Sequence, residues 1–157
     1  MATQTFQHTY VIHAPASKIY EHLAEPNNYM GLSPLLLSVT EARWDTNQQN
    51  QRLVRYKSIE LFHFWGLLTY HNPLDVVMTL THPNQQIVSD VQTRQNVTVH
   101  FVFDLLEQAD GTSVTETITA HMPALLSGFV ISQAKSVQQN RVKILKQRME
   151  SANQKGE

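Results

Sequence analysis

The sequence predicts an α+β fold in which a curved antiparallel sheet of seven strands surrounds one long C-terminal helix, with two short helices after the first strand. Three observations support this prediction. Residues 5–13 alternate apolar and polar side chains, as a half-buried strand does. Six further strand-like runs follow with short links, which is typical of an antiparallel meander. After Pro123 the apolar residues recur at helical spacing.

Two prolines divide the segment that follows the first strand. Pro15 suits the first turn of a helix, where its missing N–H costs nothing, and apolar residues then recur at helical spacing. Pro26 predicts the end of this helix at or near Glu25. The next stretch, NNYMGLSP at 27–34, is too broken by glycine and proline to form more than a second helical turn.

Turn residues separate the predicted strands of the meander. We predict a polar loop at 45–51, turns at 72–75 and 82–85, and a hairpin with Asp110-Gly111 at its tip. The second run is predicted to bend near Gly66 and to continue to residue 71. The predicted strands cover residues 35–44, 52–71, 76–81, 87–93, 97–106 and 113–122.

The C-terminal segment predicts a helix over roughly 124–150. A helix of ~28 residues would be ~40 Å long, which is unusual for a small domain. In this order of elements, only this helix is long enough to cross the concave face of the curved sheet. Its predicted inward stripe consists of Leu126, Val130, Ala134, Val137, Ile144 and Leu145.

The composition indicates one globular domain over residues 1–157. The net charge is −1, so there is no basic excess that would indicate nucleic acid as a partner. The absence of cysteine excludes disulfides and thiolate metal sites. No signal peptide is visible, and no apolar run approaches the ~20 residues of a membrane span. We therefore expect a cytoplasmic protein without membrane insertion.

The element order and two motifs resemble the START/birch-pollen-allergen superfamily, also called SRPBCC. Within it, the polyketide cyclase/dehydrase and lipid-transport-like proteins are the most similar. The motifs are VIHAPASKIYEHLAEPNNY at 11–29 and DGTSVTETITAHM at 110–122, with Ala14-Pro15, Tyr20, Pro26-Asn27 and Gly111-Thr112 as the recurring residues. The resemblance covers about residues 5–150. It implies a helix-grip fold whose two short helices close one end of a cavity, and it implies no catalytic residue.

A sheet that wraps a single helix leaves space beside it, because the helix stripe contains a small alanine and two valines. We therefore predict an internal apolar pocket of several hundred cubic ångströms, ~300–1,000 Å³ being usual for ligand sites. Its end wall would include residues of the 27–34 loop. The aromatic cluster at 62–70 is either core or cavity wall. The candidate lining residues are His8, Tyr10, Tyr29, Met30, Leu32, Tyr56, Phe64, Tyr70, Glu116, Ile118, Val130, Ala134, Val137 and Arg141.

One carboxylate shares a strand face with apolar residues of the last strand. If that face is concave, Glu116 is buried, and burial disfavours its charge unless a cation pairs with it. Arg141 and Arg148 lie within the helix stripe, so we predict that Glu116 approaches one of them. A structural ion pair and a polar anchor for a ligand head group are both compatible with this arrangement. The opposite orientation of the strand would exclude both.

The eight histidines show no zinc-type spacing, and strand alternation places His8 and His13 on opposite faces. We therefore predict no metal site and no cofactor. His100 and Asp104 share the polar face of their strand and are expected on the convex side.

Three functions from different classes fit the sequence. The first is binding or transport of a hydrophobic small molecule, such as a lipid, polyketide, quinone or isoprenoid-like compound. The second is a polyketide cyclase or dehydratase that would use Glu116, Tyr56, Tyr70 or His8 as an acid or base. The third, a co-chaperone-like interaction module, depends on the basic segment 135–157, with six basic and two acidic residues. Binding is preferred because no acid/base pair stands out, and a homodimer is left open.

Overall fold

The computed structural model describes residues 1–64 and 68–151, and within them one sheet of seven antiparallel strands. The strand order across the sheet is β1-β7-β6-β5-β4-β3-β2, so β2 to β7 form a meander and β1 pairs with its last strand. This confirms the predicted sheet. The strands are β1 (Ala2–Ile12), β2 (Leu36–Thr46), β3 (Arg52–Phe64), β4 (Leu68–His82), β5 (Gln86–Thr93), β6 (Thr98–Gln108) and β7 (Gly111–Met122).

The helices lie where the prolines predict them. Helix α1 (Ala16–Leu23) starts directly after Pro15, and a short 3₁₀ turn covers Pro26–Tyr29. A second 3₁₀ turn, Ala124–Leu126, leads into the long helix α2 (Ser127–Ser151). Together these last two elements occupy the segment predicted as the C-terminal helix.

The predicted turn at 72–75 is wrong, because these residues lie inside β4. β3 and β4 pair as neighbours, with Phe62 opposite Tyr70, and the bend predicted near Gly66 lies outside the described residues. β4 tolerates Pro73 because its pairing with β5 begins only at Leu74. Residue 73 therefore has no β5 partner that would require a backbone N–H. Proline in sheets usually occupies such unpaired positions.

The turn between β6 and β7 explains why glycine and threonine occur together at 111–112. A β-carbon at residue 111 would collide with the backbone carbonyl oxygen of Ile12, so only glycine allows this close approach. The buried hydroxyl of Thr112 donates to the carbonyl oxygen of Ala14 at 2.8 Å. This bond fixes the chain where β1 passes into α1.

Strand β7 shows which side of the sheet is concave. Its even-numbered residues from Thr112 to Met122 are buried, whereas its odd-numbered threonines hydrogen-bond on the outer face. Glu116 therefore points inward, the orientation that the sequence left open. His100 and Asp104 are exposed on the convex face, as predicted.

Helix α2 covers the concave face unevenly. Its buried residues are Gln138, Arg141, Leu145 and Met149, none of them in the first eleven residues of the helix. The predicted stripe is therefore only partly right: Leu145 is fully buried, but Val130 and Val137 are half-buried. The stripe was defined by apolar residues alone, whereas Gln138 and Arg141 occupy two of the innermost positions.

Candidate functional site

An ion pair lies at the centre of the concave face. Nε of Arg141 donates to Oε1 of Glu116 at 2.9 Å, and its Nη2 lies 3.4 Å from Oε2. The Glu116 side chain is fully buried and that of Arg141 is 8% exposed. Glu116 thus pairs with Arg141, one of the two arginines predicted.

Aromatic residues enclose this pair. The hydroxyl of Tyr10 donates to Oε1 of Glu116 at 3.0 Å, and the Arg141 guanidinium lies 4.5 Å from the ring centre of Phe101. Burial opposes the charge of Arg141, but the adjacent Glu116 outweighs it, so the pKa of Arg141 is raised. Burial, and then the Glu116 charge, raise the pKa of Tyr10. Arg141 therefore stays charged while Tyr10 keeps its proton.

Two more tyrosines face the same interior. Burial raises the pKa of both Tyr29 and Tyr56. The Tyr29 hydroxyl donates to the carbonyl oxygen of Leu23 at 2.8 Å, at the end of α1. The described residues offer no hydrogen-bond partner to the Tyr56 hydroxyl, which is therefore available to a bound molecule.

A second carboxyl group, Glu60, occupies the wall formed by β3 and β4. Burial raises the pKa of Glu60, an effect that Asn72 and then Arg141 partly offset. Nδ2 of Asn72 donates to Oε2 of Glu60 at 3.5 Å, whereas the buried Oδ1 of Asn72 has no partner among the described residues. Neither residue is among the lining residues predicted from the sequence, although the even spacing from Tyr56 to Glu60 places Glu60 on the inner face.

Arg148 binds the loop that follows α1 and takes no part in the ion pair of Glu116. Its Nη1 donates to the carbonyl oxygen of Asn28 at 2.6 Å and its Nη2 to that of Met30 at 2.7 Å. Its Nη1 also lies 3.1 Å from Nε2 of His22, which must then accept and be neutral. Burial, and then Arg148, lower the pKa of His22. The loop thus closes one end of the concave face and is attached to α2 by the hydrogen bonds of Arg148.

The structure places most of the predicted lining residues on the inner side, but at different depths. Met30 is 36% exposed and Tyr70 is 38% exposed, with its hydroxyl bonded by Gln95, so both lie at the rim. His8 is exposed and stacks on Tyr10. The side chain of Phe64 lies outside the described part. Tyr10, Leu32, Tyr56, Glu116, Ile118 and Arg141 are buried, and Tyr29, Val130, Ala134 and Val137 are half-buried.

Two surface clefts lie elsewhere on the molecule. One of about 450 Å³ includes His82, Asp104 and Thr115, and another of about 340 Å³ includes His13 and Glu107. Neither contains a predicted lining residue, so the internal pocket stays a prediction. The described residues contain no cluster of three metal-ligating side chains, and none of their helices is long and apolar enough to cross a membrane.

A scan of protein-family models finds no match to the sequence, and no curated protein matches it significantly. Solved structures do match. The Zhui aromatase/cyclase from Streptomyces sp. R1128 aligns with a TM-score of 0.71 at 15% identity, over 95% of this chain and 94% of that one. A START superfamily protein from Mycobacterium smegmatis aligns with a TM-score of 0.67 at 15% identity, over 94% and 98% of the two chains.

The chain also spans about half the length of a di-domain aromatase/cyclase, BexL, covering 94% of this chain and 50% of that one, with a TM-score of 0.66 at 15% identity. At these identities the likeness concerns the fold. The aligned part of this chain includes the curved seven-stranded sheet, the two short helical segments after β1 and the terminal helix. The chain therefore has the helix-grip fold of the START/birch-pollen-allergen superfamily.

Proposed function

We propose that the protein binds a hydrophobic small molecule between the concave face of the sheet and the amino-terminal half of α2. The observation that carries this proposal is that apolar side chains there face inward yet remain half-buried. Phe6, Val99 and Phe101 form this surface on the sheet, and Val130 and Ile131 face it from the helix. Inward-facing apolar surface of this kind is what a ligand would cover.

The ion pair of Glu116 and Arg141 gives this surface a polar end. A ligand site needs mostly apolar walls and a few fixed polar groups that orient the ligand. The pair is held rigidly by Tyr10 and Phe101, so its atoms are positioned before any ligand arrives. The ligand would therefore lie along Phe101 with one end beside the Glu116–Arg141 pair.

A neutral fluorescent probe tests the proposal directly. N-phenyl-1-naphthylamine should bind the purified protein with a rise in fluorescence, and Ala134→Trp should weaken binding by about tenfold or more because the indole fills the space under α2. Ser136→Trp is the matched control, since residue 136 is exposed on the same helix. Native mass spectrometry of the purified protein would identify any ligand that accompanies it.

Equal loss of binding in the two tryptophan variants would contradict this location, and absence of probe binding to the unaltered protein would contradict the function. Circular dichroism of both variants checks that α2 is intact. With α2 intact, a difference in probe binding between the two variants is due to the side chain at residue 134.

An enzyme of the cyclase or dehydratase type is the second candidate, and Glu60 is the observation that favours it. Burial raises the pKa of Glu60, which makes it a stronger base than an ordinary carboxylate and suits it to take up and return a proton. Tyr56, whose hydroxyl has no partner among the described residues, lies on the same face of β3 as Glu60, two inward-facing positions before it. Solved structures of the same fold include proteins described as aromatase/cyclases.

The elimination of water from 4-hydroxy-4-phenylbutan-2-one tests this candidate. Glu60 would take the proton from the carbon between the two oxygen-bearing carbons, the C–O bond would break, and Tyr56 would protonate the departing hydroxide. The conjugated ketone that forms is followed by ultraviolet absorbance. Protein-dependent turnover that Glu60→Gln abolishes would support the enzyme, and a rate equal to the buffer rate would exclude this reaction.

A further inference from the structure

Asn72 carries a buried acceptor that the described protein leaves unsatisfied. The side chain is 6% exposed, and its Oδ1 has no hydrogen-bond partner within residues 1–64 and 68–151. An unsatisfied buried acceptor destabilises the folded state, so native proteins rarely keep one without a reason. The amide is oriented by its own Nδ2, which donates to Glu60, and Oδ1 is thereby the atom left free.

Asn72 lies on the inner face of β4, because it pairs with Glu60 and shares the strand face of the buried Leu74. Asn72 pairs with Glu60 across β3 and β4, one row beyond the pair of Ser58 and Leu74. Beyond this point β4 has no β5 neighbour, because their pairing starts at Leu74. The amide therefore lies where the paired part of β4 ends on the concave face.

The charges on this face disfavour an anionic ligand. Arg141 is the buried cation among the described residues, and its charge is already matched by Glu116. Glu60 adds a second carboxyl group on the facing wall. Of the other cationic groups near the interior, His8 and Lys135 lie at the opposite edge of the sheet beside Tyr10 and Phe6, and Arg148 donates to the carbonyl oxygens of Asn28 and Met30. A ligand carboxylate at Asn72 would meet an acceptor and a carboxyl group.

We propose that Asn72 and Glu60 form a subsite for a ligand hydroxyl, so that the ligand is a neutral, hydrophobic alcohol or phenol and not a fatty-acid anion. The ligand O–H donates to Oδ1 of Asn72, and the Glu60 carboxyl group rejects carboxylates. This inference rests on the proposed binding function. It specifies the chemical class of the ligand and the two residues that recognise the ligand hydroxyl.

Three probes of one shape test the subsite: naphthalene, 2-naphthol and 2-naphthoate, each titrated by calorimetry at pH 7. Naphthalene leaves water most readily, so burial alone would favour it. We expect 2-naphthol to bind at least about tenfold more tightly than naphthalene, since a site built for a hydroxyl discriminates against its absence. 2-Naphthoate should bind more weakly than either.

Two variants separate the roles of the subsite residues. Asn72→Leu should reduce the advantage of 2-naphthol over naphthalene to within about twofold, while His71→Leu, an exposed neighbour on the same strand, should preserve it. Glu60→Gln should strengthen 2-naphthoate binding by several-fold. A direct readout on the unaltered protein is the ¹⁵N side-chain signal of Asn72, which should shift with 2-naphthol and remain in place with naphthalene.

The outcomes are distinguishable from those of the proposed function. If naphthalene and 2-naphthol bind equally, or 2-naphthoate binds best, the hydroxyl subsite is wrong although the hydrophobic site stands. If none of the probes and no N-phenyl-1-naphthylamine binds, the proposed function itself is overturned.

Discussion

Gly31 lies directly against Arg148: a β-carbon at residue 31 would be 2.8 Å from Nη2 of the guanidinium group. Gly31 also has φ of +85°, a conformation that side chains rarely adopt. The loop after α1 and the carboxyl-terminal half of α2 are therefore fitted to each other through one glycine and one arginine.

Gly31→Ala should destabilise the protein by about 1–3 kcal/mol, because the alanine must adopt a strained φ and displace the guanidinium group. Gly128→Ala is the control: nothing lies within 4 Å of its added β-carbon, and a helical alanine should stabilise by about 0.5 kcal/mol. Urea denaturation measures both. Equal effects of the two substitutions would show that the contact with Arg148 contributes nothing.

Arg148→Met should raise the pKa of His22 towards 6.5, because one of the two causes that lower it is removed. His22 binds fewer protons in the folded state, so its contribution to stability is present above pH 6.5 and is lost as the pH falls below that value. This dependence should weaken in the variant. NMR titration of the imidazole measures the pKa. Lys143→Met, on the exposed face of α2, should leave the His22 titration unchanged.

Glu116→Gln should lower the free energy of unfolding by about 3–5 kcal/mol, because Arg141 would remain charged and buried without its partner. The double variant Glu116→Leu, Arg141→Met should recover much of this loss. Asp90→Asn, which alters an exposed pair with His100, should change stability by less than about 1 kcal/mol. A Glu116→Gln effect as small as that of Asp90→Asn would contradict the assigned burial of the pair.

Glu60→Gln should remove a pH dependence of stability. The folded pKa of Glu60 is raised above 4.5, so the folded state holds its proton more strongly than the unfolded chain does. The unaltered protein should therefore lose stability as the pH rises from about 4.5 towards the folded pKa, whereas the variant should not. Their difference should grow over this range in urea titrations. Glu21→Gln at an exposed position should follow the unaltered protein.

Strand alternation and proline placement were sufficient to predict the sheet, α1 and the terminal helix, because each signal is local. The pair of Glu116 with Arg141 was also accessible, since a charge on an apolar face needs a partner. The sequence could not show which of Arg141 and Arg148 pairs with Glu116, because this depends on the point along α2 at which β7 passes the helix. That distance is set by tertiary packing.

The Glu60 and Asn72 pair was missed for a related reason. Asn72-Pro73 has the chemistry of a turn, and only the short length of β5 allows the two residues to continue a strand. Once 72–75 was assigned to a turn, Asn72 had no partner on β3. Gln138 was missed because the helix stripe was defined by apolar residues alone.

The unequal burial of α2 has a consequence for how a molecule would enter. The four buried residues of the helix lie between Gln138 and Met149, while its first turns contact a smaller cluster around Val97, Ala120 and Met122, and Phe129 packs edge-on against Phe62. Local opening of this first part would expose little apolar surface and leave the main core intact. Backbone amides of 131–137 should then exchange with solvent sooner than those of 142–149. Such opening would let a small molecule enter beneath the first turns of α2 without unfolding the protein.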